Sequence, residues 1–94
     1  MTPDGFDPLL ARAHAHALAY LHAQPGRHVG ARASRDELMA ALQAPLFDVG
    51  EDPHAVVDLL AAQGERGAVA SGSPRYFGFV IGGAYPVALA SDWL

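Results

Sequence analysis

The stretch SGSPRYFGFVIGGAYPVALASDWL, residues 71–94, decides how the chain is read. It opens with a Ser-Gly-Ser-Pro turn signal and passes through an apolar, aromatic run from Tyr76 to Ile81 that leans toward extended structure. Gly82-Gly83 then lets the backbone turn tightly and be approached closely, and Pro86 opens a helix. Val87, Leu89, Ala90 and Trp93 cover an arc too wide for a lone surface helix, and neither a glycine nor a polar finish closes it. The pattern predicts a helix cut short at Leu94, preceded by an apolar loop that some other surface must cover.

Upstream, the signals are helical. Asp7-Pro8 and Asp52-Pro53 repeat one device, an acidic N-cap followed by proline at the first helical position, where the missing N–H would have been unpaired anyway. The first predicts a helix over about 8–23, with Leu10, Ala17, Leu18 and Leu21 on one side, ending at Gln24-Pro25-Gly26. Ser34-Arg35-Asp36-Glu37 has capping-box spacing, so a second helix should follow with Leu38, Met39 and Leu42 buried, stopping before Pro45. The third should run from Pro53 to about Gln63 and end at Gly64. It places Val56, Leu59, Leu60 and Gln63 on one face and His54, Val57, Asp58 and Ala61 on the other. Ala68-Val69-Ala70 reads as a short extended piece. The expected fold is mostly α: a helical segment over 1–70, then over 71–94 an apolar loop and the start of a fourth helix.

Composition bounds the function. Hydrophobic residues make up 51% of the 94, and 10 glycines bring the apolar share to about 62%, above the usual ~45–50%; the charged share of 17% is below the usual ~25%. Such a surface should be covered by a partner or by the rest of a larger protein. The net charge is −4, with six arginines scattered along the chain and no lysine, which is not the electrostatic footprint of a nucleic-acid binder. Without cysteine there is no disulfide, thiolate metal site or cysteine nucleophile. Asp4 and Asp7 stand where a secretory signal would carry positive charge, and the near-apolar run 76–90 is short and interrupted by glycine and proline, so the expectation is a soluble, cytoplasmic protein without a membrane span.

The residues that carry chemistry are few. His14 and His16 point to nearly opposite sides of a helix, and His14 and His22 are two turns apart. Only His54 and Asp58 have i,i+4 ligand spacing, and two such ligands fit a solvated face better than a metal site, so no metal is expected. Gly78-Phe-Val-Ile-Gly82 has GxxxG spacing without the apolar helix that motif needs, and Gly82-Gly83 lacks the Lys-Ser/Thr of a phosphate loop. No Ser-His-Asp arrangement stands out. The lack of lysine has a definite consequence: this polypeptide cannot form an internal Schiff base.

Pro74-Arg75-Tyr76-Phe77, the following Gly-Phe-Val-Ile-Gly-Gly, Pro86 and Ala90-Ser91-Asp92-Trp93-Leu94 closely resemble the N-terminal region of the group II pyridoxal-phosphate-dependent decarboxylases, relatives of glutamate, aromatic-amino-acid and diaminobutyrate decarboxylases. The Ser34–Leu38 helix start, Pro45-Leu46 and Asp52-Pro53 fall in the same order as in that family, and Ser91 replaces a commoner alanine. The resemblance implies the N-terminal segment of a fold-type I enzyme of the aspartate aminotransferase superfamily, α/β when complete, acting as a homodimer in amino-acid metabolism. It places Phe79, Val80, Ile81 and Gly82 on the substrate side of an active site shared between subunits. The cofactor's lysine, its pyridine-pairing aspartate and its stacking histidine would all lie downstream of Leu94, so this chain alone should hold no pyridoxal phosphate and perform no catalysis. The alternative is a small helical interaction domain that self-associates through 76–94.

Overall fold

The computed structural model describes residues 5–46, 48–79 and 81–94. Four helices appear among them, α1 Phe6–Ala23, α2 Arg35–Leu42, α3 Pro53–Gly67 and α4 Pro86–Asp92, and no strand does. The mostly helical class expected from the sequence holds. α1 lies along α3, α2 docks on the C-terminal part of α3, and α4 stands apart from both pairings.

Two of the predicted helix starts appear as read. Ser34 Oγ accepts from Glu37 N at 3.1 Å while Ser34 N donates to Glu37 Oε1 at 3.2 Å, which closes the capping box of α2. Asp52 Oδ1 accepts from His54 N at 3.1 Å in front of Pro53, so the Asp-Pro device caps α3. At Asp7-Pro8 the device is used differently. Gly5 is the N-cap and makes no side-chain bond, Asp7 lies in the first helical turn, and Leu9 N donates to Gly5 O at 3.3 Å. Pro8 is tolerated there because first-turn N–H groups have no intrahelical partner, and the Asp7 carboxylate still meets the positive end of the helix dipole.

α3 passes through Gly64 and ends three residues later, at Gly67. The cause is external to the helix. Arg27 Nη2 donates to Glu65 O at 2.5 Å, Arg27 makes two longer contacts of 3.5 Å to Ala68 O, and Arg32 N donates to Arg66 O at 2.7 Å. With its last carbonyls taken, the helix needs no left-handed glycine to stop it. The extended piece expected over 68–70 is realised at Ala68 only: Ala70 N donates to Val29 O at 2.8 Å, and Ser71 N donates to Val69 O at 2.8 Å, so the chain already turns at Ala70.

Burial differs most from the sequence reading. Among the described residues the only fully enclosed apolar side chain is Ala70, and the other buried residues are Arg27, at 6% exposure, and Ser73. Met39 and Leu42 of α2, expected to be buried, are exposed, as are Leu10 and Leu18 of α1. The eight-residue α2 meets the end of α3 where Arg66 Nη2 reaches Glu37 Oε2 at 3.2 Å and where Leu38 lies so close to Gly67 that an added Cβ there would come within 2.7 Å of Leu38 Cδ1. The radius of gyration is 15.5 Å, against about 12 Å for a compact domain of this length. Among the described residues no helix is long and apolar enough to cross a membrane.

Arg27 therefore joins the ends of α1 and α3. Its Cζ sits 5.3 Å from the centroid of the Tyr20 ring, and its Nε lies 3.3 Å from Glu65 Oε1, a charge contact whose angle makes no hydrogen bond. Replacing Arg27 with methionine, which keeps the apolar stem and removes the guanidinium, is expected to cost about 2 kcal/mol. Lysine should restore less than half of that, because one ammonium cannot span the same carbonyls. Urea unfolding followed by far-UV circular dichroism measures both variants; an unchanged midpoint for Arg27→Met would remove Arg27 from this role.

Candidate functional site

The loop that carries the sequence-predicted site begins well anchored and ends free. Ser73 N donates to Ala70 O at 3.0 Å, Arg75 N to Ser73 Oγ at 3.1 Å, and Tyr76 N to Ser73 O at 3.1 Å, so the Ser-Gly-Ser-Pro signal folds into successive turns around the buried Ser73. The Arg75 guanidinium donates to Arg27 O, which fastens this turn to the end of α1. Gly72 lies against the Gln24 amide, and the Tyr76 ring lies over Gly78, where an added Cβ would be only 2.5 Å from the Tyr76 hydroxyl oxygen. At Gly78 the absence of a side chain lets the aromatic ring close over the backbone.

After Tyr76 the chain leaves the helical body. Phe77 and Phe79 are about nine-tenths exposed. Ile81 N donates to Gly78 O at 3.3 Å, closing a tight turn in which Phe79 has φ 56°. A bulky residue in left-handed backbone costs roughly 1–2 kcal/mol, and glycine is the usual occupant. The β-leaning expectation for 76–81 is thus not met at Gly78 and Phe79, which turn, and among the described residues there is no strand for this run to pair with. Of the four predicted substrate-side residues, Phe79, Ile81 and Gly82 share this one exposed loop, and Val80 lies outside the described residues. Gly82, Gly83, Ala84 and Tyr85 line an open depression of about 390 Å³ with no cationic side chain in its wall. Pro86 starts α4 as read, Ser91 Oγ donates to Val87 O at 2.7 Å, and the Trp93 ring meets the His14 ring edge-on, with centroids 6.1 Å apart.

A second cluster lies on the α1–α3 seam, and sequence reasoning saw only half of it. Arg12 holds Asp58 in bidentate fashion, Nε to Oδ1 at 2.7 Å and Nη2 to Oδ2 at 3.0 Å. His16 Nε2 is 2.8 Å from Asp58 Oδ1 and serves as the donor, since a carboxylate can only accept. Arg12 Nη1 lies 3.1 Å from His54 Nδ1, which must accept because a guanidinium has only donors. The His54–Asp58 pair is therefore spanned by a protein cation, and no group of three or more metal-ligating side chains occurs among the described residues. The i,i+4 spacing revealed His54 and Asp58; nothing in the sequence ties them to Arg12 and His16 more than forty residues away.

Arg12 and His16 hydrogen bonds and charges pull the Asp58 carboxyl from its ordinary 3.8 down to about 2, and Asp58 in turn raises Arg12. Glu37 is also lowered, chiefly by the Ser34 backbone N–H. A carboxyl whose folded pKa is depressed stabilises the fold above its unfolded pKa and loses that contribution as pH falls through the folded value. Helicity is therefore expected to decline between about pH 4 and pH 2. Asp58→Asn should start lower at neutral pH and keep only the part of the acid step owed to Glu37. A wild-type acid profile in Asp58→Asn would show that the Arg12–Asp58–His16 cluster does not hold the seam.

Compared with protein-family models, curated proteins and solved structures, the chain matches none.

Proposed function

We propose that this chain serves as the N-terminal segment of a pyridoxal-phosphate-dependent amino-acid decarboxylase, supplying dimer-contact and substrate-pocket residues and performing no catalysis alone. The observation that carries this reading is the run Pro74-Arg75-Tyr76-Phe77 followed, at the family's spacing, by Gly82-Gly83, Pro86 and Ala90–Leu94. Two features support it. The loop with Phe79, Ile81 and Gly82 is held at its base by Arg75 and offered outward, with Phe79 in a backbone conformation that a free loop would avoid. Phe77, Phe79, Tyr85 and Val87 find little cover within the chain, as expected of a wall that closes against another domain.

The residues present do not fit the cofactor itself. There is no lysine to carry its aldehyde, and the depression beside Gly82-Gly83 has no cation for its phosphate. What this chain's own residues can do is exclude water from a substrate side chain with Phe79 and Ile81, and let a ligand approach the backbone closely at Gly82.

The first test is the coding sequence beyond Leu94. A frame that continues into a long domain with a candidate Schiff-base lysine supports the reading; a stop codon directly after Leu94 ends it and leaves the exposed tail 76–94 as the self-association surface of a small helical interaction domain. In the longer protein, Phe79→Ala is expected to alter substrate turnover or selectivity more than cofactor affinity. Phe79→Gly should also relieve the left-handed backbone. A Phe79→Gly protein that gains stability and loses substrate selectivity would separate the ring's role from folding, whereas an unchanged substrate profile in both variants would remove Phe79 from the pocket.

A further inference from the structure

Helix α4 is tied to the rest of the chain by very little. Its hydrogen bonds are all local: Ala88 N and Leu89 N donate to Tyr85 O at 3.0 and 3.1 Å, Ser91 Oγ to Val87 O at 2.7 Å, and Leu94 N to Ser91 O at 3.1 Å. Among the described residues no hydrogen bond or ion pair joins 86–94 to α1, α2 or α3. Of the seven residues of α4 only Leu89 is half-buried, and Val87 is 74% exposed. The ring contact between this helix and the helical body is that of Trp93, edge-on to His14 of α1 with centroids 6.1 Å apart. A seven-residue helix is too short to persist by itself, so α4 depends on that seat.

The link to α4 carries two adjacent glycines that its present conformation does not call for. Neither Gly82 nor Gly83 has a left-handed φ. A Cβ on Gly82 would meet nothing within 4 Å, and one on Gly83 would rest at an ordinary 3.7 Å from Gly72 O. Alanine would fit at either place, whereas at Gly78 the Tyr76 ring forbids a side chain. A glycine pair that the seated arrangement does not need keeps accessible the backbone angles that other residues avoid, which is what a hinge uses.

We propose that α4 is a strap, hinged at Gly82-Gly83 and latched by Trp93 on His14, that swings away from α1 while the α1–α3 body stays folded. Seated, it holds Gly82, Gly83, Ala84 and Tyr85 as the wall of their open depression of about 390 Å³; released, it dismantles that wall. The body does not follow, because its own ties, Arg12 to Asp58 and Arg27 to Glu65 O, involve no residue of α4. The strap is a property of these residues alone and does not depend on the decarboxylase reading.

Trp93 is the single tryptophan of the chain, so tryptophan emission reports the strap, while far-UV circular dichroism is dominated by α1 and α3, of 18 and 15 residues. In a urea titration the Trp93 emission is expected to shift at a lower midpoint than the loss of helicity. His14→Ala should release the strap without urea: acrylamide quenching of Trp93 should rise by up to about 1.7-fold, as its exposure goes from 60% toward 100%, with the helicity midpoint unchanged. His14→Phe, which offers Trp93 another ring, should restore the wild-type quenching. Gly82→Ala and Gly83→Ala together should move the Trp93 midpoint up toward that of the body. Coincident midpoints in the wild type, unchanged quenching in His14→Ala, or a lowered Trp93 midpoint in the double alanine variant would each overturn the strap. So would a fall in the helicity midpoint of His14→Ala, which would make the ring contact part of the body.

Discussion

The Arg27 guanidinium is the part on which the rest depends. It lies under the Tyr20 ring at the end of α1, holds the carbonyl of Glu65 and contacts that of Ala68 at the end of α3, and its own carbonyl takes the Arg75 guanidinium from the loop that leads to the predicted site. A buried guanidinium is tolerated only where its donors and its charge are answered, and here backbone carbonyls at a helix C-terminus, the negative end of a dipole, supply much of that answer. One residue thus ties the Tyr20 end of α1 to the end of α3 through its side chain and to the Ser-Pro-Arg turn through its backbone carbonyl.

Arginine replaces an apolar core through much of this chain. Arg12, Arg32 and Arg66 each join segments distant in sequence through a carboxylate, to Asp58, Glu65 and Glu37 respectively. Only Arg35 is confined to its neighbour Asp36, at 3.7 Å on the surface. Such pairs fix geometry more than they supply energy, because each is at least partly solvated. The hydrophobic effect that would normally drive folding of 94 residues is left largely unspent at Val56, Leu59 and Leu60 of α3, at Met39 and Leu42 of α2 and at Phe77, Phe79, Tyr85 and Val87. A chain arranged in this way completes its burial only in contact with another surface.

Two surfaces are available for that contact, and they differ in kind. The α3 face is regular, uncharged and flanked by small residues, which suits helix-on-helix packing. The 77–94 segment is aromatic and glycine-rich and includes the short helix α4, with Phe79 held in left-handed backbone ahead of it, which suits a shaped wall against a ligand or a second domain. Base and rim of that wall are treated differently: the base is fixed by Ser73 and Arg75, while the rim projects beyond the helices.

Local chemistry determined what could be read directly from the residues. The Ser34–Glu37 box, the Asp52-Pro53 cap, the Ser-Gly-Ser-Pro turn and the start of α4 at Pro86 all depend on side chains reaching backbone groups only a few residues away, and proline and glycine act on their own dihedral angles. Periodicity likewise separated the two faces of α3, but it could not say which one faces inward, because an apolar stripe indicates burial and not by what. Only the tertiary structure decided that the Asp58 face turns to α1, that Arg27 prolongs α3 past Gly64 and that Met39 and Leu42 stay open. The first two rest on contacts between residues more than thirty positions apart, and the third on what the rest of the chain leaves uncovered; long-range pairing leaves no spacing in a sequence from which it could be read.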